Sequence, residues 1–263
     1  MFDPQPCIGV FDSGVGGLTV LRELRQQLSE ARLLYLADAA HAPYGEKTPD
    51  FIVQRSLAIG SWLKEQGASL LVVACNTATA HAIHALRERW PDLPVVGTEP
   101  GIKPAVQASR NGRVGVLATP ATLASARYRS LIERHGASAQ VISQPCAGLV
   151  DAIEQGELHA PALRRLVQEF CAPLREAGVD TVLMGCTHYP LVRPLIQEAL
   201  GPDVRLLDVE TAVAQQACRL WTGPTTECAP GLRIATTGVP MALQRFVSTA
   251  LGWRDVPVES ASV

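Results

Sequence analysis

The chain has 263 residues, 47% hydrophobic and 18% charged, with a net charge of −2 at pH 7, a balance that fits a globular protein large enough for two ordinary domains. A pI near 6.3 and scattered arginines argue against nucleic acid as a primary partner. No apolar run approaches the roughly 20 residues needed to cross a bilayer.

The opening MFDPQP has no basic segment leading into an apolar one, so no export signal and a cytoplasmic location are expected. The seven cysteines are odd in number and none is paired at C-x-x-C spacing. They read as free thiols rather than a disulfide framework, a zinc site or any other metal site.

In chain order, CIGVF (Cys7 to Phe11) reads as a strand and DSGVGG (Asp12 to Gly17) as a turn. A helix over Thr19 to Leu28 and a strand LLYL (Leu33 to Leu36) follow. This is the βαβ rhythm of a parallel sheet with helices on its faces. The loop DAAHAPYG (Asp38 to Gly45) precedes the apolar run of VVACNTA (Val72 to Ala78), and GTEPGIKP (Gly97 to Pro104) marks a crossing.

Next, RVGVLATP (Arg113 to Pro120) looks like a second copy of CIGVFDSG. From Pro161 to Ala177, residues Leu163, Leu166, Val167, Phe170, Cys171 and Leu174 follow the i, i+3, i+4, i+7 pattern of a one-sided core helix. VLMGCTH (Val182 to His188) repeats the setting of VVACNTA, and room remains after Asp208 for more helix and one strand. The tail from Asp255 to Val263 has no clear pattern and is expected to be frayed.

Val114 lies 106 residues after Ile8, and Cys186 lies 111 after Cys75. Two nearly equal offsets are the mark of an internal duplication. The expected fold class is therefore α/β, with two pseudo-symmetric domains of mainly parallel sheets flanked by helices. Residues 1–97 and the returning segment 208–263 would form one domain and 98–207 the other. Their strand ends would face a shared cleft, the usual ligand site of such folds.

Cys75 and Cys186 each end a strand-like run and are followed by small polar residues. Either alone reads equally well as a small buried hydrophobe; their matched settings favour chemistry. Cys171 falls on a helical core face, while Cys7, Cys146, Cys218 and Cys228 lack the strand-end setting and are assigned to packing or surface. A single cysteine with His188 would suit a thiol hydrolase, but a nucleophile needs no twin. Two thiols on opposite sides of one carbon suit racemisation, one removing a proton and the other returning one to the opposite face.

A thiol of pKa near roughly 8.5 needs help against a carbon acid. Asp12 and His188 are the expected assistants, one near each thiol, with Glu154 orienting or charging the histidine. The DSGVGG turn is a natural anion cradle, although Asp12 could equally be a helix cap, and it lacks the ordered G-x-G-x-x-G of a dinucleotide site. The hydroxyls of Ser13, Thr77 and Thr187 are expected to stabilise charge on a substrate carboxylate. The DAAHAPYG loop, taken alone, reads as a turn. Pyridoxal phosphate requires a Schiff-base lysine. The three lysines, Lys47, Lys64 and Lys103, do not end strands at the cleft, so no cofactor is expected.

Together IGVFDSGVGG, PYG, CNTA and GCTHYP, in this order between Ile8 and Pro190, resemble the glutamate racemases of the aspartate/glutamate racemase superfamily; the resemblance runs to about Gln215. It implies cofactor-independent interconversion of L- and D-glutamate, with D-glutamate supplied for peptidoglycan. By the family pattern Cys75 acts on the D-enantiomer with Asp12, and Cys186 on the L-enantiomer with His188 and Glu154. Asp12, Ser13, Tyr44, Gly45, Asn76, Thr77, Thr187 and His188 match substrate-binding positions, and Asp38 matches an acidic position of open role. The resemblance also implies two pseudo-symmetric domains, a C-terminal segment returning to the first, and a homodimer.

Some members carry an N-terminal extension and respond to a nucleotide-linked cell-wall precursor; with Asp12 so early, no such extension is expected here. A racemase for aspartate or another amino acid remains open, as does a non-catalytic two-lobed binding protein. A related decarboxylase would carry only one of the two cysteines.

Overall fold

The computed structural model describes residues 6–223 and 231–263. The opening five residues, and Cys228 among those assigned to packing or surface, lie outside the described residues. The elements run β1 (Cys7–Asp12), α1 (Leu18–Gln27), β2 (Leu33–Ala37), α2 (Pro49–Glu65), β3 (Ala68–Val73), α3 (Asn76–Arg89), β4 (Val95–Gly97) and α4 (Ile102–Ala108). They continue with β5 (Arg113–Ala118), α5 (Pro120–Ala124), α6 (Ala126–His135), β6 (Gln140–Pro145), α7 (Leu149–Glu154), α8 (Pro161–Glu176), β7 (Thr181–Met184) and α9 (Arg193–Leu200). The chain closes with β8 (Arg205–Leu207), α10 (Glu210–Leu220), β9 (Leu232–Thr236), α11 (Pro240–Ala250) and β10 (Val258–Ser260).

The strands form two parallel sheets, a six-stranded one ordered β10-β9-β2-β1-β3-β4 and a four-stranded one ordered β6-β5-β7-β8. The order β2-β1-β3-β4 is thus repeated as β6-β5-β7-β8. Register repeats with it: Ile8 pairs with Leu70 as Val114 pairs with Thr181, reproducing both sequence offsets. The α/β expectation holds, and the duplication is visible in hydrogen bonding as well as in residues.

The central strands β1, β2 and β7 are buried along their whole length, which is why they read as continuous apolar runs rather than alternating ones. One face of the larger sheet packs with α1, α10 and α11 through Leu21, Leu24, Val213 and Phe246. Its other face packs with α2 and α3 through Ile52, Ile59, Leu63 and Leu86. On the smaller sheet, α8 buries Leu163, Val167, Cys171 and Leu174, with Leu166 and Phe170 flanking them half-buried, as the helical periodicity implied. Helix starts follow capping chemistry: Thr48 and Ser125 accept from the backbone NH groups of Phe51 and Tyr128, satisfying otherwise orphaned donors. Among the described residues, no helix is long and apolar enough to cross a membrane.

Two expectations are corrected. The returning segment contributes two strands rather than one, and the tail is not frayed. Val258 pairs with Ile234 and Ser260 with Thr236, the Ala261 NH donates to the Thr236 carbonyl at 2.8 Å, and Ala261 is buried. A three-residue edge strand is too short to show an alternating pattern. Cys146 also differs from expectation, since it directly follows β6. Because β6 is an edge strand with its side chains largely exposed, QVISQP carries no apolar run to announce it.

Candidate active site

Both thiols stand two residues beyond a strand: Cys75 after β3 and Cys186 after β7. Each is nearly buried, at 5% and 6% exposure. Because β1 neighbours β3, Asp12 at the end of β1 emerges beside Cys75. Asp12 is fully buried, and its carboxylate accepts from the backbone NH groups of Ser13 at 2.8 Å and Gly17 at 2.6 Å. Burial raises the Asp12 pKa above the usual carboxylate range, against the lowering pull of His188. The Cys75 thiol caps α3, accepting from the Ala78 NH at 3.4 Å, and donates toward Ser13 Oγ at 4.0 Å. Burial, reinforced by the Asp12 carboxylate and more weakly by Cys186, pushes Cys75 well above the ordinary thiol value.

The other thiol has a different partner. Cys186 Sγ lies 3.7 Å from His188 Nδ1, and His188 Nε2 lies 2.6 Å from Glu154 Oε1. Burial alone would lower the His188 pKa; hydrogen bonds to Cys186 and Glu154 outweigh it and raise the value well above that of free imidazole. Glu154, half-buried at 20%, also accepts from the Val15 NH at 2.7 Å. One carboxylate oxygen therefore joins the DSGVGG turn of the first sheet to the histidine of the second.

Two glycines of that turn permit this approach. A Cβ on Gly14 would sit 1.8 Å from Glu154 Oε1, and one on Gly16 would sit 2.3 Å from His188 Nδ1, so any side chain there would displace the catalytic candidates. The turn functions as a docking notch as much as an anion cradle.

The remaining candidates fall into two groups. Ser13, Thr77 and Thr187 are buried and hydrogen-bonded within the site. Thr187 donates to Asp12 Oδ2 at 3.4 Å, Ser13 Oγ donates to Asp12 Oδ1 at 3.4 Å, and Thr77 Oγ1 lies 2.9 Å from Thr119 Oγ1. Asn76 donates to the Thr98 carbonyl at 3.1 Å, while its buried Oδ1 has no hydrogen-bond partner among the described residues.

Tyr44 is buried, but its hydroxyl donates to Asp38 at 2.6 Å, so the phenol anchors the loop. Gly45 packs against Thr119, where a Cβ would come within 2.8 Å of the threonine side chain. Asp38 accepts from Arg55 at 2.8 Å through two nitrogens and from Thr237 at 2.8 Å, with His41 Nδ1 at 3.0 Å. Burial would raise its pKa, but the bonds from Arg55, Tyr44 and Thr237 bring it below the ordinary value. Asp38 is thus the hub that holds the Tyr44 loop and the returning segment to α2.

Thr119 and Thr122 were missed by sequence reasoning. They close a three-hydroxyl cluster with Thr77 that links α3 to the second sheet. A signal existed, because in the duplicated alignment Thr119 falls opposite Ser13. The other cysteines are packing residues where described. Cys171 is in the core, Cys146 is buried with its thiol pushed up to about 12 by burial, Cys7 is buried at the start of β1, and Cys218 is only partly covered.

The chain is similar to known proteins in sequence and in fold. The Asp/Glu/Hydantoin racemase family matches residues 8–217. A glutamate racemase of Pseudomonas syringae pv. tomato is 54% identical over 213 residues, covering 81% of this chain and 78% of that protein. Among solved structures, glutamate racemase from Escherichia coli, in complex with L-glutamate and the activator UDP-MurNAc-ala, superposes with a TM-score of 0.89 at 33% identity, covering 99% of both chains. The enzyme from Francisella tularensis, in complex with D-glutamate, gives 0.85 at 29% identity, covering 99% of this chain and 98% of that one. By motif, strand order and match over most of its length, the chain belongs to the Asp/Glu/Hydantoin racemase family.

Proposed function

We propose that this protein is a cofactor-independent glutamate racemase that interconverts L- and D-glutamate by a two-base mechanism and supplies D-glutamate for peptidoglycan. The observation that carries the reading is the pair of nearly buried thiols at corresponding strand ends of a duplicated strand order, each with its own polar assistant. The substrate follows from relatives named glutamate racemase at about half identity and from structural neighbours holding either enantiomer.

In this mechanism Cys186, supported by His188 and Glu154, takes the α-proton of L-glutamate, and Cys75, supported by Asp12, delivers a proton to the opposite face. The reverse reaction exchanges the roles. Substrate is held by Asp12, Ser13, the Tyr44–Gly45 loop, Asn76, Thr77, Thr187 and His188. The unpartnered Asn76 Oδ1 is suited to the α-ammonium, and the backbone NH groups at the start of α3 to a carboxylate. Excluding water from the thiols strengthens every charge interaction among these groups. Sheet membership supports a division into 1–97 with 208–263, and 98–207. The family resemblance supports a cytoplasmic homodimer.

The deciding experiment is proton NMR of the purified, cofactor-free protein with L-glutamate in deuterated water, followed alongside optical activity. Loss of both the α-proton signal and the rotation is expected. Exchange with retained rotation would mean one working base; no change in either would remove glutamate as substrate. A panel of other amino acids under the same conditions tests the aspartate alternative.

A further inference from the structure

Outside the proposed catalytic set lies a buried carboxyl group that the mechanism does not use. Glu210 begins α10 and is 6% exposed. Its Oε2 accepts from the Val209 NH at 3.0 Å, and its Oε1 lies 3.4 Å from Thr19 Oγ1. Thr19, on the first turn of α1 and 1% exposed, in turn faces the Gly16 carbonyl at 2.8 Å and the Thr187 carbonyl at 3.2 Å. Gly16 belongs to the notch that admits His188, and Thr187 stands between Cys186 and His188.

A hydroxyl has one proton to give. Three acceptors compete for that proton around Thr19 Oγ1, and of the three only Glu210 can bring a proton of its own and so relieve the competition. A protonated Glu210 donates to Thr19 Oγ1, and the threonine proton is then shared between the two carbonyls. The surroundings favour that state: burial first, then the neighbouring Asp208, push the Glu210 pKa up to about 8. Asp208 is itself ion-paired with Arg193 of α9. On α1, Glu23 accepts from Thr211, while β3 and β4, the strands against α10, carry no titratable side chain.

We propose that Glu210 and Thr19 are positioning residues for the racemisation. The carboxyl fixes the Thr19 hydroxyl, which holds the backbone between Cys186 and His188 against the glycine turn of the other sheet. The proposal rests on the glutamate racemase reading, so turnover by the unmutated protein is established first; failure there sinks that reading and not this one.

The test uses Thr19→Val, Glu210→Leu and Glu210→Gln with α-deuterated L- and D-glutamate. Enantiomers have equal free energies, so kcat/KM must fall together in both directions, and rate alone cannot say which thiol is affected. Isotope effects can. If the Cys186 side is misplaced, its proton transfer becomes more rate-limiting. The deuterium effect then rises with L-glutamate and falls with D-glutamate.

Thr19→Val and Glu210→Leu are expected to lose roughly ten- to a hundredfold in kcat/KM, as small misplacements of reacting groups do, with the isotope effects diverging in that sense. Glu210→Gln, whose amide donates to Thr19 and whose oxygen still accepts from Val209, is expected to restore activity to within about threefold of the unmutated protein, the loss of a permanent donor being avoided. Unchanged activity in both Thr19→Val and Glu210→Leu overturns the proposal. So do equal isotope-effect changes for the two enantiomers, or a Glu210→Gln protein as impaired as Glu210→Leu. Thr19→Val removes a single hydroxyl at constant shape, so the test survives if Glu210→Leu fails to fold.

Discussion

The ends of β3 and β7 are copies of one another in strand order, in the spacing of their thiols and in burial, yet they treat protons differently. Beside Cys75 stands Asp12, a carboxylate, and the thiol is driven toward keeping its proton. Beside Cys186 stands His188, braced by Glu154 and inclined to be an imidazolium. The two strand ends thus share a position in a repeated strand order and differ in the residues beside the thiol. On the proposed mechanism, the raised pKa of Cys75 suits it to hold the proton that is delivered when the reaction begins with L-glutamate.

The sharpest way to break the comparison is to remove either sulfur. Cys75→Ala and Cys186→Ala are each expected to lower kcat by about 10³-fold or more, the scale of a positioned acid or base, with circular dichroism unchanged. Full activity in either would end the two-base mechanism. Next, His188→Asn is expected to cost about 10²-fold in kcat. In the unmutated protein activity should fall as rising pH strips the His188 proton, and that alkaline fall should vanish in the variant; a persisting limb of the same shape would assign it to another group.

Alkylation compares the two sides directly. At pH 7.5 iodoacetamide should label Cys186 roughly tenfold faster than Cys75, because the thiolate is the nucleophile and burial with Asp12 holds Cys75 toward its thiol form, as read by peptide mass spectrometry. Equal rates, or faster labelling of Cys75, would overturn the reading that Cys75 is held in its thiol form. The smallest effect is expected for Glu154→Gln, a loss of about five- to tenfold in kcat, since the amide still occupies the notch but no longer charges the imidazole. A loss as large as that of His188→Asn would make Glu154 more than a brace.

Much of this was legible in residues. Cys75, Cys186, Asp12 and His188 could be found because fully buried parallel strands spell continuous apolar runs, and the residues just after such a run emerge at a sheet end. Partnership was less legible. Asp38 stands in the sequence as an acid of open role, and its oxygens go to Arg55, Tyr44 and Thr237; nothing in a linear pattern tells a carboxylate which distant donors will reach it. Cys146 and β10 were missed for a related reason, because edge strands are short or exposed and carry no apolar signature. Thr119 was recoverable from the duplicated alignment, and Glu210 was not, since its significance depends on a threonine 191 residues away.

The repeated strand order also answers a problem of handedness. A chain made only of L-residues has no mirror plane at its disposal, so it cannot present a reflected copy of a site to a reflected substrate. It can, however, repeat a strand order. On the proposed mechanism the copy sets a second thiol at the opposite face of a planar carbon, and each mirror-image molecule then meets a base in a protein that is itself incapable of mirror symmetry.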